Sequence, residues 1–441
     1  MRIVTLVALF AACVGSIQGQ IQTLNQNQVQ AGVGMTWIDN QRFYAFRLRP
    51  EFSFSNIGVG LDLNLEFDSS GTLRKENFNE LSDYLSIIRY IRYGQEFDPV
   101  YIKLGALDYV AIGHGSIISN YNNSPSFDSR KIGFQLNLNY DKVGLQTMYG
   151  DFGEAGVVGL RPFVRPLQFT SLADLPVLNK IEVGVTYAGD FNKFARVDYY
   201  YPVSLESPPG PVTPILGGTG ELHVIGADIG IPIVRGDIAG LELYADFTKI
   251  IDFGSGIATG ILFRLDGLPA INVRARLERR FNGTQYLPSY FNSFYELERY
   301  NRLNSTAKSL TLRNNTAYTK GVYGDLLIRI INTFDIYGSY EKVEAVPNSG
   351  DFHLWTELAP PDAPILARLG YDKVRIKDLA DLIITDDRSL LYAEIGYKPY
   401  PFLIVSMVYR WTYAPVRSGD DIVGYTTQRR VEPKLEFVYT F

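Results

Sequence analysis

The chain has very little cysteine and histidine. Cys13 stands alone, and His114, His223 and His353 are the only imidazoles in 441 residues. None of the three histidines has a metal-ligand partner at a recognisable spacing, so neither a metal nor a cofactor is expected. A phosphate loop and a dinucleotide fingerprint are also missing. The formal net charge of -5 offers no basic surface, which argues against a nucleic-acid partner. Long apolar runs are scarce beyond the N-terminus. Uncharged stretches such as Pro399 to Tyr409 reach only about half the length of a membrane-spanning helix. The longer stretch from Tyr109 to Phe127 is broken by Gly, Ser, Asn and Pro. No internal repeat suggests a propeller or a solenoid.

The first residues have the form of an export signal. Arg2 is the positive n-region, and Ile3 to Val14 form an apolar core too short to span a bilayer. Small and polar residues follow, and cleavage near Gly19 is expected, with Ser16 as the alternative. Phe10-Ala11-Ala12-Cys13 approaches a lipobox, but Phe10 stands where leucine is usual. The expected division is therefore a signal at 1–19 and one domain at 20–441. Removal of Cys13 with the signal would leave a cysteine-free chain, suited to an oxidising compartment.

Aromatic residues and a period of two are plentiful. Tyr (30) and Phe (26) are abundant. From Ile57 to Asp68 the odd positions read Ile, Val, Leu, Leu, Leu, Phe, while the even positions read Gly, Gly, Asp, Asn, Glu, Asp. A strand with this pattern puts one face in oil and the other in water or a polar interior. Lys131 to Tyr140 and Leu403 to Tyr413 repeat it. Twenty candidate segments follow one another along the chain, and some merging among them is expected to leave 16 or 18 strands. The predicted fold is all-β: a transmembrane antiparallel up-and-down barrel, the remaining way to cross a membrane when helices are too short.

The connections differ in length. Short polar turns occur at Asp39-Asn40, Ser55-Asn56, Asp141-Lys142 and Asn332-Thr333, and Lys398 to Pro401 is another short link. Longer connections lie at 69–86, 108–130, 202–218, 282–320 and 376–388. Short turns at one end and long extracellular loops at the other are the expected arrangement. Glu76 to Arg89 and Tyr290 to Leu303 have helical spacing of their apolar residues. Such segments either constrict the lumen or pack as short helices on the rim, and the rim is favoured. Tyr199, Tyr200, Tyr201, Trp411 and Tyr413 are candidates for interfacial girdles.

The last strand alternates Leu435, Phe437, Tyr439 and Phe441 with Lys434, Glu436, Val438 and Thr440. It resembles the C-terminal recognition strand of bacterial outer-membrane proteins, and the whole chain resembles porin-like outer-membrane barrels. The resemblance implies residence in the bacterial outer membrane, contact with its lipid, and insertion by the barrel assembly machinery through Phe437, Tyr439 and Phe441. Ile112 to Tyr121, with its Gly-His-Gly-Ser, resembles glycine-rich segments of some polysaccharide-handling barrels; a glycine-rich turn before a loop accounts for it equally well.

If apolar positions face lipid, the alternate charges face inward. The expected pore-lining residues are Arg47, Arg49, Asp62, Glu66, Glu242, Asp246, Arg274, Arg276, Arg280, Asp325, Arg329 and Arg410. A mid-membrane Arg or Lys on the lipid face would cost about 2–4 kcal/mol, which drives these groups inward. Opposed ladders of such groups orient polar solutes in a water-filled pore, or else pair and serve structure alone. Diffusion of small polar solutes is the expected function. The alternatives are a closed barrel serving attachment or assembly, and a plugged transporter of apolar solutes with Gln20 to Gln30 as plug. His114 beside Ser116 raises a Ser/His hydrolase, but no nucleophile elbow is present and no enzyme is expected.

Overall fold

The computed structural model describes residues 28–440 apart from positions 76, 77, 79–83, 85, 86, 95–97, 127–129, 154, 176, 202–214, 236, 237, 266, 267, 269, 302–305, 331, 332, 361, 362, 379, 419 and 420. The expected signal at 1–19, most of the helical segment at 76–89, and Phe441 lie outside the described residues. Of the stretch from Gln20 to Gln30, residues 20–27 also lie outside, and Gln28 onward belongs to the first strand.

Twenty strands form one closed antiparallel barrel. The first ten are β1 (Gln28–Ile38), β2 (Gln41–Phe54), β3 (Ile57–Leu61 and Leu63–Phe67), β4 (Ile88–Tyr93), β5 (Val100–Gly105), β6 (Gly133–Asn139), β7 (Val143–Tyr149), β8 (Val157–Val164), β9 (Glu182–Asp190) and β10 (Leu222–Arg235). The second ten are β11 (Ala239–Ile250), β12 (Ser255–Leu265), β13 (Ile271–Asn282), β14 (Thr319–Ile330), β15 (Phe334–Val343), β16 (Gly350–Leu358), β17 (Ile365–Ile376), β18 (Ser389–Tyr400), β19 (Leu403–Ser418) and β20 (Asp421–Thr440). Each strand pairs with its chain neighbours, and β20 returns to pair with β1. The count is twenty where 16 or 18 was expected. Every candidate segment forms its own strand and no two merge, because each is bounded by a turn that reverses the chain.

The period of two sorts side chains as anticipated. In β3, Gly58, Gly60, Asp62, Asn64 and Glu66 are buried, while Ile57, Val59, Leu61, Leu63 and Leu65 face outward. In β13, Glu278, Arg280 and Asn282 are buried and Leu277 and Phe281 are exposed. An apolar exterior around a polar interior is the arrangement that lipid requires of a barrel. Exposed aromatics gather near the turns at the terminus end, among them Phe54, Tyr140, Tyr400, Phe402 and Tyr439. Trp411 is half-buried, and its indole donates to the Asp386 carbonyl. Tyr413 is not a girdle residue: it is buried with Phe294, Leu297, Val374 and Leu390. Tyr199, Tyr200 and Tyr201 belong to a hairpin, Arg196–Tyr201 with Ile215–Gly220, and their side chains lie outside the described residues.

The long connections 68–87, 106–132, 191–221, 283–318 and 377–388 all leave the same end of the barrel, opposite the chain termini. The short turn at Asp39-Asn40 shares that end, with both residues at positive φ. The terminus end has short links except at 165–181, which carries two turns of 3-10 helix. Two of the long connections fold inward. Tyr290, Phe291, Phe294 and Tyr295 are almost fully buried, so the described part of the segment, Tyr290 to Asn301, packs inside the barrel and not on its rim.

Leu277 lies mid-strand on the outer face and is 70% exposed. Leu277→Arg is expected to destabilise the barrel by about 2–4 kcal/mol in phospholipid vesicles. Urea titration of the refolded protein measures this, and an unchanged midpoint would take that face out of the lipid.

Candidate functional site in the lumen

The segment 106–132 is the first of the two that fill the lumen. Val110 and Tyr121 pair antiparallel and draw it into a narrow loop. At its tip Gly113 has φ +60 and Gly115 φ +91, a left-handed backbone that glycine adopts without steric cost. The glycine-rich stretch is therefore a turn, and it presents His114 and Ser116 to the wall. The His114 ring stacks on Tyr244 of β11, with centroids 4.0 Å apart. Tyr244 lies flat over the neighbouring strand, where a Cβ at Gly260 would meet its ring at 2.3 Å. His114 Nδ1 is 2.7 Å from Asp246 Oδ1, and Ser116 Oγ donates to Asp246 Oδ2. The His114 carbonyl accepts from Arg276, whose Nε reaches Asp325 at 2.5 Å. Gly113 N donates to Gln146 Oε1 at 2.9 Å. On the far side, Tyr109 donates to Asp372 at 3.2 Å, and Thr412 Oγ1 donates to the Pro125 carbonyl at 3.1 Å. The segment thus touches the wall in several directions.

The segment 283–318 locks onto it. Ile118 and Phe291 form a parallel bridge, with Ser119 N to Phe291 O and Phe291 N to Ile117 O both 3.1 Å. Ile112, Ile117, Ile118, Tyr290, Phe291, Tyr295 and Leu312 join Met148, Val157, Val224 and Ile250 of the wall in one apolar knot. Burying a side chain of this size contributes about 1.5–3 kcal/mol, so the knot holds both segments firmly. Beside it, Glu296 accepts from Tyr121 at 2.6 Å, Lys131 at 2.8 Å and Arg299 at 2.8 Å. Burial opposes ionisation of Glu296, but Arg299 and Lys131 outweigh it and hold its pKa down to about 2. Arg299 and Tyr295 also share Asp190 of the wall, at 2.5 and 2.6 Å.

The sequence-predicted residues occupy inward positions, and most of them are paired along the wall. Arg47 makes two bonds of 2.6 and 2.5 Å to Glu432, and Arg410 lies 3.8 Å from the same carboxylate. Arg49 Nε is 2.9 Å from Asp62, and Glu66 is 2.8 Å from Arg430. Arg280 joins Glu278 at 2.7 Å and Glu341 at 2.6 Å. Arg276 and Asp325 are directly opposed in register on β13 and β14. Arg329 reaches Asp335 at 3.3 Å. Glu242 stands 3.8 Å from His114 Nε2, while Arg274 is half-buried on the same wall as Arg276. Sequence reasoning missed the partners Glu432, Glu341, Arg161 and Asp228, because strand register alone brings them together.

In a hydrolase triad the imidazole stands between serine and carboxylate and takes the serine proton. Here the Asp246 carboxylate stands between Ser116 and His114, so the imidazole is not placed to activate the hydroxyl. His114, Asp228 and Asp246 bring donor atoms within 4.8 Å of one another. Arg161, however, holds Asp228 through bonds of 2.8 and 2.5 Å and already supplies the positive charge a cation would bring.

His114 is the anchor whose charge can be followed. Burial lowers its pKa, but hydrogen bonds with Asp246 and Glu242 prevail and raise it from 6.5 to about 9. The stabilisation it lends to docking is therefore complete below pH 6.5 and is lost as pH rises through about 9. Asp246→Asn should bring the imidazole pKa down towards 6.5, observable by proton NMR of the folded protein. A midpoint unmoved by the substitution would separate His114 from this wall.

No protein-family model matches the chain, and no curated protein matches it. Among solved structures, Pseudomonas aeruginosa OccD3 (OpdP) aligns over 98% of this chain and 94% of its own, at 10% identity and TM-score 0.29. The outer membrane protein OpdK of Pseudomonas aeruginosa aligns over 94% and 99%, at 11% identity and TM-score 0.28. The siderophore receptor PirA of Acinetobacter baumannii aligns over 95% and 81%, at 8% identity and TM-score 0.37. At these scores none of the three bears on what passes through or binds this barrel. Its closed sheet of twenty strands, apolar exterior and ion-paired interior make the chain a β-barrel built to cross a lipid bilayer.

Proposed function

We propose that the chain is a loop-constricted channel for small polar solutes. The observation that carries this reading is the filling of the lumen. A barrel of twenty strands is too wide for its own side chains to fill, and here two mid-chain segments narrow it while charged residues line the wall. The lumenal apolar side chains are used in packing the segments to one another, which favours polar solutes over apolar ones. Arg47, Arg49, Asp62, Glu66, Glu242, Asp246, Arg274, Arg276, Arg280, Asp325, Arg329 and Arg410 form the wall of the passage. The long-loop end faces outward from the cell and the termini face the periplasm. Assembly proceeds through the barrel machinery, with Phe437, Tyr439 and Phe441 as its signal. The chain acts on its solute by binding and orientation alone, without catalysis.

A second reading is favoured by the tightness of the knot. If Phe291 and its neighbours never loosen, the barrel is closed and its outer loops carry an attachment or assembly role. Single-channel recording of the refolded mature protein in a planar bilayer separates the two. Small, stable steps are expected, with ion selectivity altered by Arg276→Ala. Phe291→Ala removes about 3–5 kcal/mol of packing and is expected to give larger, less steady steps. A folded barrel that passes no current in either form would leave the closed-barrel reading standing.

A further inference from the structure

We infer that the outer face of the barrel at its long-loop end, across β19, β20, β1 and β2, is a docking site for a lipid whose head group carries phosphate. The inference rests on the barrel crossing a bilayer and not on the channel reading, since no lumenal residue takes part. Strand register assembles the site. Trp411 of β19 stands opposite Arg429 of β20. In the next row Tyr409 stands opposite Val431, Val431 opposite Trp37 of β1, and Trp37 opposite Arg42 of β2. These positions alternate with buried inward ones such as Val408, Arg430, Ile38 and Phe43, so all of them share the exterior. Two of the three tryptophans of the chain stand here, while Trp355 is buried.

Arg42 and Arg429 differ from the lumenal arginines. Both are exposed, and among the described residues neither has a carboxylate at ion-pair distance. Each rests on a ring instead: Arg42 lies 5.5 Å from the centre of Tyr44, and Arg429 6.0 Å from that of Trp411. Trp411 is in turn fixed by its indole, which donates to the Asp386 carbonyl at 3.1 Å. The nearby Asp39 carboxylate is turned to the backbone and accepts from Arg429 N at 3.1 Å. By contrast Arg279, on the same rim across the barrel, is paired with Glu344 at 2.9 Å. A guanidinium seated on a ring keeps its N–H edge free, and that edge matches two phosphate oxygens. The two arginines flank β1, about 10 Å apart across the sheet, so one head group reaches both. Below them the exterior turns apolar, with Met407, Val405 and Val33 about half exposed. These rows continue the lipid-covered wall and take the acyl chains, while the cations hold the head group at the level of the indoles.

Native mass spectrometry of the full-length folded protein in detergent tests the assignment. Dioleoyl phosphatidic acid, dioleoylglycerol and inorganic phosphate serve as probes. Phosphatidic acid is expected to bind to saturation, and dioleoylglycerol, with the same tails and no phosphate, to fail. Arg42→Gln and Arg429→Gln are each expected to weaken phosphatidic acid about fivefold, the effect of one cation at a lipid surface. Arg279→Gln is expected to leave it unchanged. All three side chains are exposed, so the variants keep the barrel, which the gel shift on heating checks. Absence of phosphatidic acid binding to the folded wild type overturns the proposal, as does equal binding of dioleoylglycerol. Binding that neither Arg42→Gln nor Arg429→Gln affects, or that Arg279→Gln weakens as much, overturns it too. Binding of inorganic phosphate without phosphatidic acid assigns the face to a free anion and removes the lipid. Bilayer recording in parallel keeps the two readings apart. Current without phosphatidic acid binding retains the channel and removes the docking site; binding without current retains the docking site and removes the channel.

Discussion

Hydrocarbon offers no hydrogen-bond partner to a backbone amide, and a sheet that crosses lipid must therefore have no edge. The rest of the molecule follows from the way this chain meets that demand. β1 and β20 close the ring from Gln28 opposite Thr440 to Ile38 opposite Arg430. Pro433 has no amide hydrogen to give, and the ladder between β1 and β20 is interrupted there, at Met35 and Thr36. The backbones approach closely at that point: a Cβ on Gly34 would lie 2.4 Å from the Pro433 carbonyl oxygen. Glycine at this position lets the seam come together beside a proline.

Closure with twenty strands creates a second demand, because the enclosed space exceeds what wall side chains occupy. Part of the answer is chain: the two inward segments carry their own apolar knot. The other part is charge. Inward positions carry charged side chains, and most of these are held in pairs along the wall. Pairs such as Arg430 with Glu66 and Arg47 with Glu432 are buried, and breaking either by removing one member would leave an uncompensated charge.

Much of this was legible in the sequence, and the reason is physical. The Ile57 to Asp68 alternation separates an apolar face from a polar one, so the strands and their two faces could be read directly. The strand count fell short because some merging was expected among the candidate segments, whereas even short strands such as Gly133–Asn139, Val143–Tyr149 and Val157–Val164 stay separate. Two features were beyond periodicity. Tyr290 to Leu303 has the same apolar spacing whether it packs on a rim or in a lumen, and its destination depends on Ile118, far away in the chain. The partners of Arg276 and Arg47 depend on register, which places Asp325 and Glu432 beside them only after the sheet has closed. The Gly-His-Gly-Ser turn was visible, but its contact with Asp246 was not.

The way the 106–132 segment is held has a bearing on the order of assembly. Its contacts come from Gln146, Asp246, Arg276, Ser339, Asp372 and Thr412, strands spread across nearly the whole remaining chain. The full set of contacts therefore requires nearly the whole wall to be in place, up to Thr412 on β19. Contacts so remote in sequence are slow to form. Complete seating of the segment thus belongs late in folding, after the strands that hold it have assembled.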